Sequence, residues 1–427
     1  MGKQGRFGVW RSGVLLGMVA LLAAGARAEG GADSYVDSHV DSGAASIDEM
    51  LTKGDVELDL RYRFEHVDQD GFDHNADAST LRTRIGFTTA AWKGLSLMAE
   101  VDNVTAIGAE DYNSTENGET QFPVVADPEG TDINQVWARY SAGDASGTYG
   151  RQRILHGNER FIGGVAWRQN EQTYDGFRLQ WQAQAQAVEL DYAYVYNVNR
   201  IFGPDDGAQP ADWHGKNHFL RLKASPWDGH TVAAFGYLLD IDPQSAYGDN
   251  LTRNNGADTW GIEYSGKLGP VAARAAYARQ SDAGDSQRDY SADYYLLEGG
   301  MALGPVNALV GYEVLGAGDG VGFATPLATL HKFQGFADLF LTTPGDGIED
   351  LYLTLSGALG PVKLAGTWHD FKAEDSSADF GSELDLVATW PINTALSLQL
   401  KYANFSSDAS ARYADTEKAW LMVNFNI

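Results

Sequence analysis

Cationic side chains carry the most readable chemistry in this sequence. Arg61, Arg63, Arg82, Arg84, Arg139, Arg151, Arg153, Arg178, Arg221 and Lys223 sit on the polar side of successive alternating segments, and Arg160 and Arg168 follow in the stretch after Arg153. A guanidinium is a planar fork of donors that matches a carboxylate. A row of them attracts an anion at each step and holds it weakly enough at any one to release it. The same side of the pattern carries Glu57, Asp59, Glu100, Asp102, Glu189, Asp191, Glu263, Glu313, Glu383 and Asp385, and later cations at Arg274, Lys363 and Lys401. Two readings fit: a track for an anionic solute, or cross-strand ion pairs that fill a wet interior. In either, a basic wall in the first half of the chain faces an acidic or mixed one.

Other chemistry is sparse. Asp68, Asp70, Asp73, Asp77, Glu110, Asp111, Asp127 and Glu129 offer oxygen ligands but no fixed metal-binding spacing, so solvated loops are expected, with no metal and no cofactor. His66, His74, His156, His218, His331 and His369 are scattered without a serine and acid at useful spacing. No Gly-x-Ser-x-Gly, His-Glu-x-x-His or phosphate loop is present, and no catalytic residue is expected.

The elements that must position these residues are strands. Val56 to Glu65 alternates without a break, with Val56, Leu58, Leu60, Tyr62 and Phe64 on one side and charges on the other. The same period of two recurs at Leu81–Phe87, Leu95–Val101, Leu190–Tyr196, Leu220–Leu222, Leu351–Leu355, Leu384–Ala388 and Leu396–Tyr402. No helical stripe of similar length competes. Connections alternate too. Tight turns such as Leu268-Gly269-Pro270, Leu303-Gly304-Pro305 and Leu359-Gly360-Pro361 alternate with long polar stretches at 103–132, 155–172, 198–216, 242–257 and 316–347. The fold class is therefore all-β: a closed antiparallel transmembrane β-barrel of about 18 strands over 55–427, with short periplasmic turns and long extracellular loops. Residues 331–342 are read as loop, because a strand there breaks the short/long alternation.

Composition agrees. Gly 49, Tyr 20, Trp 11 and no cysteine suit a barrel closed by backbone hydrogen bonds, and a net charge of −27 excludes general nucleic-acid binding. Lys3, Arg6 and Arg11 precede a short apolar run, Val14 to Ala24, and Ala26-Arg27-Ala28 has the small-x-small form of a cleavage site. Residues 1–28 are expected to be a secretory signal peptide and 29–54, rich in Gly, Ala, Ser and Asp, a flexible periplasmic leader. Trp and Tyr near strand ends (Tyr140, Trp181, Trp260, Trp368, Trp390 and Trp420) are expected in interface girdles. The terminal strand 420–427 ends on Ile427, with Phe425 on the same face, and is what the barrel-assembly machinery would receive. The expected surroundings are the lipid and lipopolysaccharide of a Gram-negative outer membrane, with the barrel a monomer.

Two stretches carry a resemblance. Residues 150–179 read GRQRILHGNERFIGGVAWRQNEQTYDGFRL and 332–352 read KFQGFADLFLTTPGDGIEDLY. Both resemble the alginate export family of outer-membrane proteins, and a looser likeness covers most of the chain after the signal. The resemblance implies an 18-stranded barrel with an arginine-lined lumen, Arg151, Arg153, Arg160 and Arg168 lying in the matching stretch. It implies passive passage of an anionic polysaccharide such as alginate, or of a related small anionic solute. A selective or general uptake porin for small solutes is the other reading. The chain is shorter than the dedicated exporter, which leaves less loop for a plug or gate.

Overall fold

The computed structural model describes residues 43–183 and 187–427. The expected signal peptide lies outside them. Eighteen strands form one sheet. The first half runs β1 (Asp55–Gln69), β2 (Ala76–Thr88), β3 (Leu95–Asp111), β4 (Gly130–Ala142), β5 (Ala145–Gln152), β6 (Thr173–Ala183), β7 (Val188–Asn199), β8 (Asp212–Trp227) and β9 (His230–Leu239). The second continues with β10 (Ala257–Leu268), β11 (Val271–Asp282), β12 (Ser291–Leu303) and β13 (Val306–Leu315). A two-residue hairpin, β14 (Ala317–Gly318) and β15 (Val321–Gly322), decorates the next loop. The barrel then resumes with β16 (Ile348–Leu359), β17 (Val362–Lys372), β18 (Asp379–Pro391), β19 (Leu396–Ser407) and β20 (Thr416–Asn426).

Each barrel strand pairs antiparallel with its neighbour in sequence. β20 returns to β1 in a register running from Asp59↔Asn426 to Gln69↔Thr416. Ile427 completes the seam, exchanging backbone hydrogen bonds of 2.9 and 3.0 Å with Leu58. Closure is what lipid demands, since hydrocarbon offers no partner to an edge strand's N–H and C=O groups. The outward row is apolar and exposed, with Leu97, Phe177, Leu220, Ile262, Leu297, Val310, Leu353, Leu386 and Leu400 among its members.

The tight turns gather at one end. In the Gly269-Pro270 turn Leu268 pairs with Val271, and Gly269 takes φ +66°, the left-handed value that the first turn position of this hairpin type requires. Residues 331–342 lie in the long connection 316–347, as the alternation requires. The 103–132 segment differs: β3 continues to Asp111, paired with β2 as far as Asp77. Ladder pairing does not need an apolar face, so a strand that rises clear of lipid keeps its hydrogen bonds while its sequence turns polar.

Trp420 also departs from expectation. Tyr140, Trp181, Trp260, Trp368 and Trp390 are exposed on the outer face, but Trp420 is 2% exposed. It shares its parity with inward Lys418 and Met422, not with outward Phe425, and packs on Trp167. Within 29–54, residues 47–52 form a short helix, α1 (Ile47–Thr52), capped by Ser46. Met50 buries against Ala44 and Ala90 at the short-turn rim.

Candidate functional site

Two connections, 153–172 and 316–347, turn into the bore. The first is apolar enough to do so. Ile154, Phe161, Ile162 and Trp167 are buried in one cluster with wall residues Phe235, Tyr237 and Tyr294 and with Phe323 of the other connection. The two connections meet at an Ile162↔Leu327 bridge. Gly163 N donates to Leu327 O at 2.8 Å, and Thr329 N to Glu159 O at 3.0 Å. Shorter than the dedicated exporter or not, the chain has enough loop to fill much of its lumen.

Behind 153–172 the arginines of the first strands form a lattice of buried ion pairs. Arg63, on β1, donates to Asp127 at 2.9 Å and to Trp167 O. Arg82 reaches Asp59 at 2.7 Å. Arg84 grips Asp102 with a two-pronged contact at 2.6 and 2.7 Å and meets Glu171 at 2.9 Å. Arg153 bridges Glu171 at 2.6 Å and Glu100 at 2.8 Å. Arg168 spans Glu65 at 3.1 Å and Asp338 at 3.3 Å, and Arg160 pairs with Glu313 at 2.8 Å. Arg61 donates to Ala166 O at 2.6 Å and to Asn424 at 3.1 Å. Arg139 donates to Thr148 and lies over the Trp137 ring.

Electrostatics lock the loop carboxylates of this lattice. Burial alone would raise Glu171, but Arg153 and Arg84 outweigh it and hold its carboxyl far below the usual range. Burial would raise Asp127 likewise, and Arg63 and Arg168 hold it down. Asp338 follows the same logic: the cost of burial is outweighed by His331, Lys418 and Arg168. Asp127, grouped by sequence with solvated loop acids, is therefore corrected. It is fully buried, because the connection 112–129 folds down onto Arg63.

Nearer the short-turn end the cations are less enclosed. Arg178 pairs with Asp191 at 2.6 Å, its side chain 11% exposed, and Arg221 pairs with Glu263 at 2.8 Å. Lys223 meets Glu189 at 2.7 Å and is 36% exposed. Arg63 and Arg82, by contrast, are 1% exposed.

Arg151 is not in the lumen. Its register partner is Val136 and its face is that of Tyr149, both exposed to the outside. It pairs with Asp175 at 2.9 Å on the outer surface. Arg153 has the same parity, yet enters the bore because β5 ends at Gln152 and the chain leaves the sheet there.

On the opposite side, β10–β18 enclose a vestibule of about 290 Å³. Gly269 and Pro270 lie at its short-turn end. Residues 332–336 of the second connection form its roof. Its walls carry Arg274, Glu298, Asp350, Tyr352, His369 and Asp385, with Lys267 and Lys332 as further cations. Arg274 pairs with Glu298 at 3.4 Å, and His369 with Asp350 at 2.9 Å. Sequence reading missed Glu171, Asp338, His331, Trp167 and Lys332. The one signal available was the density of charged and aromatic residues in two connections too apolar to be wholly solvated.

Comparison with known proteins gives a family and a fold. The family model described as Alginate export matches residues 53–305, more than half of the chain. No curated protein matches. Among solved structures, Pseudomonas aeruginosa OccK3 (OpdO) is similar with a TM-score of 0.66 at 12% identity, covering 89% of this chain and 97% of that one. Acinetobacter baumannii OccAB2 gives 0.66 at 13%, covering 89% and 99%. The Pseudomonas aeruginosa outer membrane protein opdK gives 0.65 at 10%, covering 87% and 99%. At such identities the likeness is one of fold.

Proposed function

The chain belongs to the alginate export family and is an outer-membrane channel of Gram-negative bacteria, and from that premise we propose that it passes a carboxylated solute, a uronate saccharide or a related small anion, through a narrowed lumen. The observation that carries this reading is the meeting of 153–172 and 316–347 across the bore, beside a vestibule of about 290 Å³. Arg274 and Lys332 of the vestibule, with the less enclosed Arg178, Arg221 and Lys223 of β6 and β8, are the cations we assign to meet cargo. Arg61, Arg63, Arg84, Arg160 and Arg168 act mainly by holding the loops and Arg82 by pairing with Asp59 of the wall, since removing a buried partner costs about 3–5 kcal/mol. The small vestibule also favours a second version, in which short uronates or other small anions pass inward and no polymer does.

The continuous apolar outer face supports a monomer, and β20, closing the seam, is the strand we assign to the barrel-assembly machinery. The test is reversal potential in a planar bilayer with oligouronates of increasing length added. Anion preference with block by short and long uronates supports polymer passage. Block by short ones alone supports the small-anion version. Cation selectivity, unchanged by Arg178→Gln with Arg221→Gln, would remove the anion reading.

A further inference from the structure

The roof of the vestibule is fastened differently from the loop beside it. Residues 153–172 hold themselves by backbone hydrogen bonds, His156 N to Ile162 O at 3.1 Å and Gln172 N to Gly164 O at 2.7 Å, besides the bond to Leu327. Among the described residues, 334–343 makes no backbone–backbone hydrogen bond. Two of its amides go instead to side chains of the wall. Phe336 N donates to Asp385 Oδ2 at 3.0 Å, and Ala337 N donates to Glu383 Oε1 at 2.7 Å. Gln334 is held between Arg160 and Glu313.

Glu383 and Asp385 are successive inward residues of β18, 1% and 2% exposed. Glu383 Oε2 and Asp385 Oδ1 accept from no other residue, and the two carboxyl groups lie in contact with each other. Asp385 also meets His369 at 3.7 Å. A carboxylate is costly to bury unless it is hydrogen-bonded, and the two loop amides join the contact between the two carboxyl groups and the nearby His369 and Lys401 in keeping this pair in the wall. The loop bends to reach them. Gln334, Gly335 and Asp338 take φ of +52°, +79° and +61°, a left-handed geometry that only Gly adopts without strain. A Cβ on Gly335 would collide with the Glu383 carboxylate.

We propose that Glu383 and Asp385 are the aperture-setting residues of this channel. By accepting the Phe336 and Ala337 amides they hold residues 333–337 across the top of the vestibule, and losing those two hydrogen bonds opens the vestibule toward the long-loop side. This rests on the narrowed-channel reading above.

The test uses the refolded full barrel in a planar bilayer, with heat-modifiable migration on gels as the check of folding. Glu383→Met with Asp385→Leu removes both acceptors. Ala337→Pro removes one donor without touching a strand. The chain has no cysteine, so Ala337→Cys, at a position 1% exposed, reports lifting of the roof by its reaction with a bulky thiol reagent. The expected result is unit conductance raised about twofold or more in both latch variants, with the introduced thiol reactive only when the two acceptors are gone. Unchanged conductance and an unreactive thiol overturn the proposal while leaving the channel intact. If the acceptor variant does not refold, Ala337→Pro decides alone. A native barrel that conducts nothing at all overturns the narrowed-channel reading and this proposal together.

Discussion

The two sides of the lumen are built from similar residues and behave differently. Against β1–β5, guanidinium and carboxylate groups interlock behind 153–172 until Arg63 and Arg82 are almost wholly enclosed. Against β10–β18, charged groups pair too, Arg274 with Glu298 and His369 with Asp350, yet they line an open space. The difference lies in what covers them. On the first side a loop supplies both partners and lid: Glu171 to Arg84 and Arg153, and Trp167 O to Arg63. On the second, the loop stands off and forms a roof. The number of arginines on a barrel wall therefore says little about where an anion travels; the space left in front of them says more.

The comparison breaks most visibly at Arg63. Arg63→Ala leaves Asp127 buried without its main partner, at a cost of about 3–5 kcal/mol, read as a lowered unfolding midpoint in detergent. A change near zero would mean that the lattice is not what holds the loop. Next in size is the effect on cargo. Arg178→Gln with Arg221→Gln is expected to weaken uronate block about tenfold, the worth of one charge-assisted hydrogen bond. Arg82→Gln should leave block where it was and lower stability instead. Equal loss of block in both would erase the distinction between the two classes.

Acid sharpens the same contrast more gently. Glu171 and Asp127 have folded values below their ordinary 4.5 and 3.8. Their contribution is complete above those values and is lost as pH falls through the folded ones. Loop 153–172 should therefore stay closed at neutral pH and loosen only below about pH 4, seen as a conductance rise on acidification. A rise already at about pH 6 would contradict the lattice.

The smallest effect is expected outside the bore. Burial, then Asp205 and Asp206, push Glu116 up to about 7. Glu116 lies against Gly203 and Gly207 of the connection 200–211; its raised carboxyl favours that contact while protonated, and that support fades as pH climbs from its unfolded value through about 7. Hydrogen-exchange protection at 200–211, taken relative to the intrinsic rate at each pH, should thus be lower at about pH 8 than at about pH 6. Glu116→Gln should remove the dependence, and protection independent of pH in the native chain would show that Glu116 does not control the contact.

Much of this was legible in the residues. Lumen positions of Arg61, Arg84, Arg178 and Glu383 follow from alternation alone. Trp420 was legible too, since its parity against Phe425 places it inside, but a strand-end tryptophan invites assignment to the girdle. Arg151 and Arg153 show the limit of parity. The rule holds only inside a strand, and β5 stops between them.

What the sequence determined by itself is the barrel: strand number, the lipid-facing row and most of the inward row inside regular strands. Period-two alternation is a local property of the extended backbone, and a lipid surround forces closure. What only the tertiary structure decided is which inward charges are spent on one another. Arg63 finds Asp127 across 64 positions and Arg168 finds Asp338 across 170. Such partners are chosen by where two loops fold inside a closed wall, because ion pairing in a buried space depends on distance and solvent exclusion rather than on order along the chain.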